Sequence, residues 1–201
     1  MVASAEPRPR TAPGDKYEAI LAAALHLFVE RGFYGVAVPE VAKRAKVAAG
    51  TIYTYFPSKE ALVNALYRKW KAAVGQRVFT EFPVNVPPRE QFDVMWASMT
   101  QFAFEHRDAF AFLELHHHAS YLDRESRELE NQLKEFAAGA LMLGQATGVI
   151  KPTDPKLLME LLFGAFTGMM RAHVEGRLEL GEQAILDARE ACWQMLAVAS
   201  R

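Results

Sequence analysis

The sequence predicts an all-α fold of about nine helices. Three observations carry that expectation. Apolar residues recur at three- and four-residue spacing in one stretch after another. No stretch alternates apolar and polar residues for long enough to make a credible strand. Short turn-forming clusters separate the stretches, among them FPVNVPP at 82–88, TGVIKPTDP at 147–155 and GRLELG at 176–181. Of the 201 residues 51% are apolar, enough for a substantial core.

Residues 1–15, MVASAEPRPRTAPGD, hold three prolines and a glycine without apolar period, and read as a disordered tail. The first helix is expected at about 16–31, with Ile20, Ala24, Leu27 and Phe28 on its buried face and Gly32 as its C-terminal stop. A very short helix follows at 38–45. Val41 and Ala42 point inward, and Pro39 is tolerated in the first turn. Residues 46–48 make a tight turn, and 49–55 a second short helix with Ile52 inward and Phe56 closing the small core. Ser58 caps the next helix. Leu62, Leu66, Trp70 and Val74 carry it to about residue 80, near 30 Å of length. Five more helices are expected at 88–105, 107–119, 123–146, 153–176 and 181–199. The domains read as a tail at 1–15, a head at 16–60 and a body at 61–201.

Composition narrows the function. No run of about 18 apolar residues is present, so no membrane span is expected, and the N-terminus lacks an apolar signal-peptide core, so a cytoplasmic location is expected. The one cysteine, Cys192, excludes an internal disulfide and a multi-cysteine zinc site, and reads as a buried thiol. No nucleophile–base pair, phosphate loop, HExxH or CxxC pattern is found, so no enzyme and no cofactor are expected. The net charge of −1 hides an asymmetry. Residues 1–71 hold 11 Lys/Arg against 6 Asp/Glu, and residues 72–201 hold 12 against 18. A basic head on an acidic body suits a protein that offers one end to a polyanion.

Two short helices joined by a three-residue turn form a helix-turn-helix, whose second helix enters the DNA major groove. With Ile52 inward, Ala49, Gly50, Tyr53 and Thr54 can reach DNA. Ala49 and Gly50 lack bulk and permit close approach, while Thr51, Tyr53 and Tyr55 offer hydroxyls to phosphates. Lys59, at a helix start, favours an anion, and Lys43, Arg44 and Lys46 add long-range attraction. Arg8 and Arg10 could follow the backbone or a minor groove, or simply be solvated.

This segment resembles the DNA-binding domain of TetR-family transcriptional regulators. The resemblance rests on Ile20-Leu21, Ala23-Ala24, Leu27-Phe28, Gly32-Phe33, Val41-Ala42, Ala45, Val47, Gly50-Thr51, Ile52-Tyr53, Tyr55-Phe56 and Ser58-Lys59-Glu60 with Leu62, and spans about 50 residues. It implies a homodimer, an all-helical C-terminal ligand domain and, usually, repression relieved by a small molecule. The chain departs from the family pattern at four places. Val36-Ala37 stand where Thr or Ser is usual, which removes a helix cap and a phosphate-binding hydroxyl. Pro39 takes a place that can contact a base, Ala48 replaces the usual Ser, and Lys46 replaces the usual Gly.

The body is read from pattern. Methionine and phenylalanine line its helices and fill irregular space or reshape around apolar guests. Trp96, Met99, Phe102, Phe112, His116, Met142, Phe166 and Met170 are the candidate ligand-pocket residues, for a small hydrophobic or aromatic effector. On a helix, His116, His117 and His118 would point about 100° apart and could not all bind one metal. Two could, only with His106, His173 or Glu114 converging; no metal site is assigned. The last two helices are the expected dimer interface, with Gly164 and Gly168 allowing close approach and Phe163, Trp193 and Leu196 supplying apolar area. These readings describe a ligand-responsive regulator that represses from a palindromic operator as a dimer. An activator, or a DNA-binding protein of this fold without effector, remains the alternative.

Overall fold

The computed structural model describes residues 13–199, and nine helices lie among them. They are α1 (Pro13–Arg31), α2 (Val38–Ala45), α3 (Ala49–Tyr55), α4 (Lys59–Glu81), α5 (Pro88–Glu105), α6 (Arg107–Leu115), α7 (Arg124–Ala146), α8 (Pro155–Val174) and α9 (Glu182–Leu196). Among the described residues the only β pairing is an isolated antiparallel bridge between Ile150 and Ala197. The chain divides into two compact units inside α4, the first ending at Leu66 and the second starting at Tyr67. The sequence reading drew that line after residue 60.

In the first unit, Ile20, Leu21, Ala24, Leu27 and Phe28 of α1 are buried together with Val41, Ala42, Ile52, Phe56, Leu62, Val63 and Leu66. The helix starts three residues earlier than expected, at Pro13. Proline suits a first helical position because its missing N–H has no partner to lose, and Asp15 in the first turn complements the helix dipole. The remainder of the tail, with Arg8 and Arg10, lies outside the described residues. Gly32 ends α1 at φ +67°, its N–H donating to Phe28 O at 2.8 Å. Gly35 has no room for a side chain, because a Cβ there would collide with the carbonyl of Arg31. Ser58 caps α4 by accepting from the Ala61 N–H at 3.1 Å.

The second unit packs α5, α6, α8 and α9 around Phe92, Trp96, Phe102, Phe110, Leu158, Phe166, Met170, Cys192 and Leu196. Burial pushes the Cys192 thiol pKa up, as expected of a structural thiol. Several expected boundaries are corrected: α8 spans Pro155–Val174 instead of 153–176, α9 ends at Leu196 instead of 199, and α6 ends at Leu115, not 119, so the three histidines are not helical. His116 is already extended, and His118 turns back under α6 to hydrogen-bond the Phe112 carbonyl. The three side chains therefore do not follow the 100° spacing of a helix.

The helix α8 also differs from expectation. It is 20 residues long with a mean hydropathy of 1.2, and by length and composition alone it could cross a membrane. Only 17% of that apolar stretch is buried. Lys156, Glu160 and Arg171 interrupt it, and Leu157 and Leu161 stand exposed beside the exposed Gly164 and Gly168.

Candidate nucleic-acid interface and effector cavity

The helix-turn-helix is built from α2 and α3. Val38, Val41 and Ala42 anchor α2 and Ile52 anchors α3, so the opposite faces are left to solvent. On α3, Ala49, Gly50, Tyr53 and Thr54 are exposed and Thr51 is half-buried. A Cβ at Gly50 would meet nothing, which leaves this face open to a phosphate or base edge. Lys43, Arg44 and Lys46 are exposed around the turn. Lys46 holds φ 56° and ψ 38°, the left-handed region, and its N–H closes α2 onto Ala42 and Lys43 carbonyls. A lysine does there what glycine does at lower cost.

Three residues of the expected DNA-facing set, Tyr55, Lys59 and Thr54, have local partners. Tyr55 is half-buried, with its ring 6.0 Å from that of Tyr17 and in edge geometry. The Lys59 ammonium lies 4.3 Å from the centre of the Phe33 ring. Cation–π attraction thus orients Lys59 while leaving its N–H donors usable. The Thr54 hydroxyl donates to Gly50 O at 3.2 Å within the helix.

At the start of α2, Ala37 has the extended backbone of a cap but no side-chain acceptor. Only half of a reciprocal cap forms. The Glu40 carboxylate reaches back to the Ala37 N–H at 2.9 Å and also accepts from Arg31 at 2.7 Å. The Ala37 backbone hydrogen bond, then Arg31, hold the Glu40 carboxyl below its ordinary range.

The second unit contains a cavity of about 250 Å³ between α4, α5, α6, α7 and α8. Of the pocket residues expected from sequence, Met99, Phe102 and Phe166 line it. The other five lie elsewhere. Trp96 and Met170 are buried in the helical core, Trp96 with its ring 5.4 Å from Phe166. Phe112 packs on the His118 ring. His116 faces a neighbouring polar recess, and Met142 is 58% exposed on α7. Helical period identifies a buried stripe but not which of its members border empty space. Among the expected dimer residues, Phe163 is half-buried and lines the cavity, and Leu196 is buried at 1% exposure within its own unit. Trp193 packs on Phe92 under the Arg89 guanidinium, and Gly164 and Gly168 face open space.

The cavity is also lined by charged residues, none of them among the expected pocket residues: Lys71, Arg77, Glu114, Glu130, Lys134 and Glu160. Lys71 and Glu114 form an ion pair at 2.8 Å with side chains only 11% and 14% exposed. Glu130 pairs with Lys134 at 3.0 Å. A signal was present in the sequence. Lys71 interrupts the stripe Tyr67, Val74, Val78 on α4, and Glu130 stands at the head of the stripe Leu133, Ala137, Leu141 on α7. Among the described residues no cluster of three or more His, Cys, Asp or Glu is placed to hold a metal ion.

Comparison with known proteins agrees with the division of the chain. Residues 20–66 match the family profile "Bacterial regulatory proteins, tetR family", and residues 68–198 match "Tetracyclin repressor-like, C-terminal domain". The chain is 28% identical over 152 residues to the "Fatty acid metabolism regulator protein" of Bacillus subtilis, covering 74% of this chain and 78% of that protein. It is 30% identical over 94 residues to the uncharacterized HTH-type transcriptional regulator YuxN of the same organism. That match spans 47% of this chain but only 32% of YuxN. A TetR-family protein from Vibrio parahaemolyticus superposes with a TM-score of 0.74 at 29% identity, over 92% of this chain and 100% of that one. The two profiles and the exposed α3 face lead to one conclusion: the chain belongs to the tetR family of bacterial regulatory proteins, and is a transcriptional regulator with a helix-turn-helix for DNA, not an enzyme.

Proposed function

We propose that the protein is a cytoplasmic repressor that binds a palindromic operator as a homodimer and leaves it when a small hydrophobic or aromatic effector fills the cavity. The observation that carries this reading is the cavity itself. Val74, Met99, Phe102 and Phe166 give it an apolar wall, and its α4 wall belongs to the helix that begins at Lys59 in the DNA-binding unit. An effector that favours one placement of α4 over another changes the spacing of two DNA-reading heads, and a shift of a few ångströms is enough to unseat one from its groove. The fatty acid metabolism regulator of B. subtilis, named for an apolar class of molecule, supports an apolar effector. The repressor-like profile of the second unit supports repression.

The uncovered face of α8 supports the dimer. Exposed Leu157, Leu161, Gly164 and Gly168 on one helix, with Leu186 exposed on α9, suit burial against a second copy better than contact with water.

The test selects genomic fragments bound by the full-length protein and measures their affinity with and without N-phenyl-1-naphthylamine, a neutral apolar fluorophore. The expected results are inverted-repeat sites, a two-chain mass in sedimentation, and at least about tenfold weaker DNA binding once the fluorophore is bound. Fluorophore bound without change in DNA affinity would remove the sensing function. A one-chain mass at micromolar concentration would remove the dimer.

A further inference from the structure

A second recess of about 400 Å³ adjoins the apolar cavity, and Lys71, Glu114 and Glu130 line both. We propose that the two spaces are one site for an amphipathic anion, with the apolar chain in the cavity and the negatively charged head in the recess at Lys71 and Arg127. The proposal rests on the effector reading above and names the class of effector.

The chemistry of the two compartments differs. Met99, Phe102 and Phe166 face the first, which suits an unbranched or aryl chain. His116, His117 and Arg127 line the second, which suits a head that accepts hydrogen bonds, whereas the Tyr67 hydroxyl is engaged by Glu130 and the His118 ring nitrogens by Phe112 and Tyr121. The sign of the head follows from the partners already made. Glu114 is held by Lys71 at 2.8 Å, and Glu130 by Lys134 at 3.0 Å, so both carboxylates of the recess have a cation. Arg127, by contrast, donates to a neutral group, the Leu122 carbonyl, at 2.6 Å. A guanidinium has five N–H donors and an ammonium three, so Arg127 and Lys71 keep donors after these bonds. Lys71 can hold Glu114 and a ligand anion together, and its position on both walls places it where chain meets head. A cationic head would instead compete with Lys71 and Lys134 for carboxylates they already hold, beside the charge of Arg127.

The anion can be a carboxylate or a phosphate ester, and the test separates them. Full-length protein is loaded with N-phenyl-1-naphthylamine and titrated, below micelle concentrations, with decanoate, decyl phosphate, decanol and decyltrimethylammonium. The expected result is displacement by one or both anions at concentrations at least about tenfold below decanol, with the ammonium weakest. Arg127→Leu, at an exposed position, brings the anion-to-decanol ratio within about threefold of unity. The double variant K71M/E114M strands neither charge and does the same, so a folding defect of a single charge deletion cannot imitate the result. Decanol equal to both anions, the ammonium tightest, or either variant retaining the full ratio overturns the proposal while leaving the apolar-effector reading intact. Failure of the fluorophore itself to bind overturns that reading, and this proposal with it.

Discussion

The His118 ring lies edge-on to the Phe112 ring at 4.8 Å, and its Nε2 is hydrogen-bonded to the Phe112 carbonyl. A carbonyl only accepts, so Nε2 carries the proton. Nδ1 is then the acceptor for the Tyr121 hydroxyl at 2.7 Å. Burial, opposed by the Phe112 hydrogen bond and reinforced by His116 and Lys71, pushes the His118 pKa down to about 4, with Glu130 acting the other way. The neutral ring joins the end of α6 to Tyr67 on α4, whose ring stands 5.1 Å away.

Because the folded state holds this histidine neutral, the unfolded chain takes up its proton first as pH falls. Its contribution is complete above about pH 6.5 and is lost between there and about pH 4, amounting to about 2 kcal/mol by pH 5. Urea midpoints near pH 7 and pH 5 check this. His118→Phe should show the smaller acid-side drop, and an equal drop in both proteins would assign the acid limb to other groups.

Lys46→Gly should stabilise the first unit. The left-handed backbone at φ 56° costs an L-residue about 1 kcal/mol, and glycine adopts it without that cost. A thermal midpoint a few degrees higher is expected, together with weaker DNA binding at low salt because an exposed cation is gone. A lower midpoint would mean that the lysine side chain contributes more than the strain removes.

Ala37→Ser should add about 1 kcal/mol. The backbone at residue 37 is already extended, at φ −101° and ψ 144°, so a hydroxyl there can accept from the first turn of α2 without rearrangement. Denaturant unfolding reads the stability. No gain would show that the Glu40 half of the cap already suffices.

Thr51→Ala and Tyr53→Ala should each weaken binding to all DNA sequences by about 1–2 kcal/mol, with a shallower salt dependence if a phosphate contact is lost. Fluorescence anisotropy with specific and random duplexes checks both. Full affinity in both variants would transfer DNA recognition to another element.

Most helix positions were legible because each helix carries an apolar stripe and most carry a start or stop residue. Gly32 and Ser58 mark their ends in the sequence as they do in the structure. The end of α6 was not legible. His116–His118 contain no breaker, and the turn is made by a bond back to Phe112 that depends on Tyr67 and Tyr121 being nearby. The cavity lining was legible only in part. Trp96 and Met99 are three residues apart on one face of α5, yet Trp96 packs into the core and Met99 borders the void.

The sequence by itself determined the helical class and the DNA-reading unit, because that unit is specified within about 50 residues by short-range spacing, a tight turn and local caps. Only the tertiary structure decided where the cavity lies and that Lys71, Glu114 and Glu130 sit on its wall. An empty volume is what remains after side chains from five helices have packed, and no single helix carries a periodic record of it.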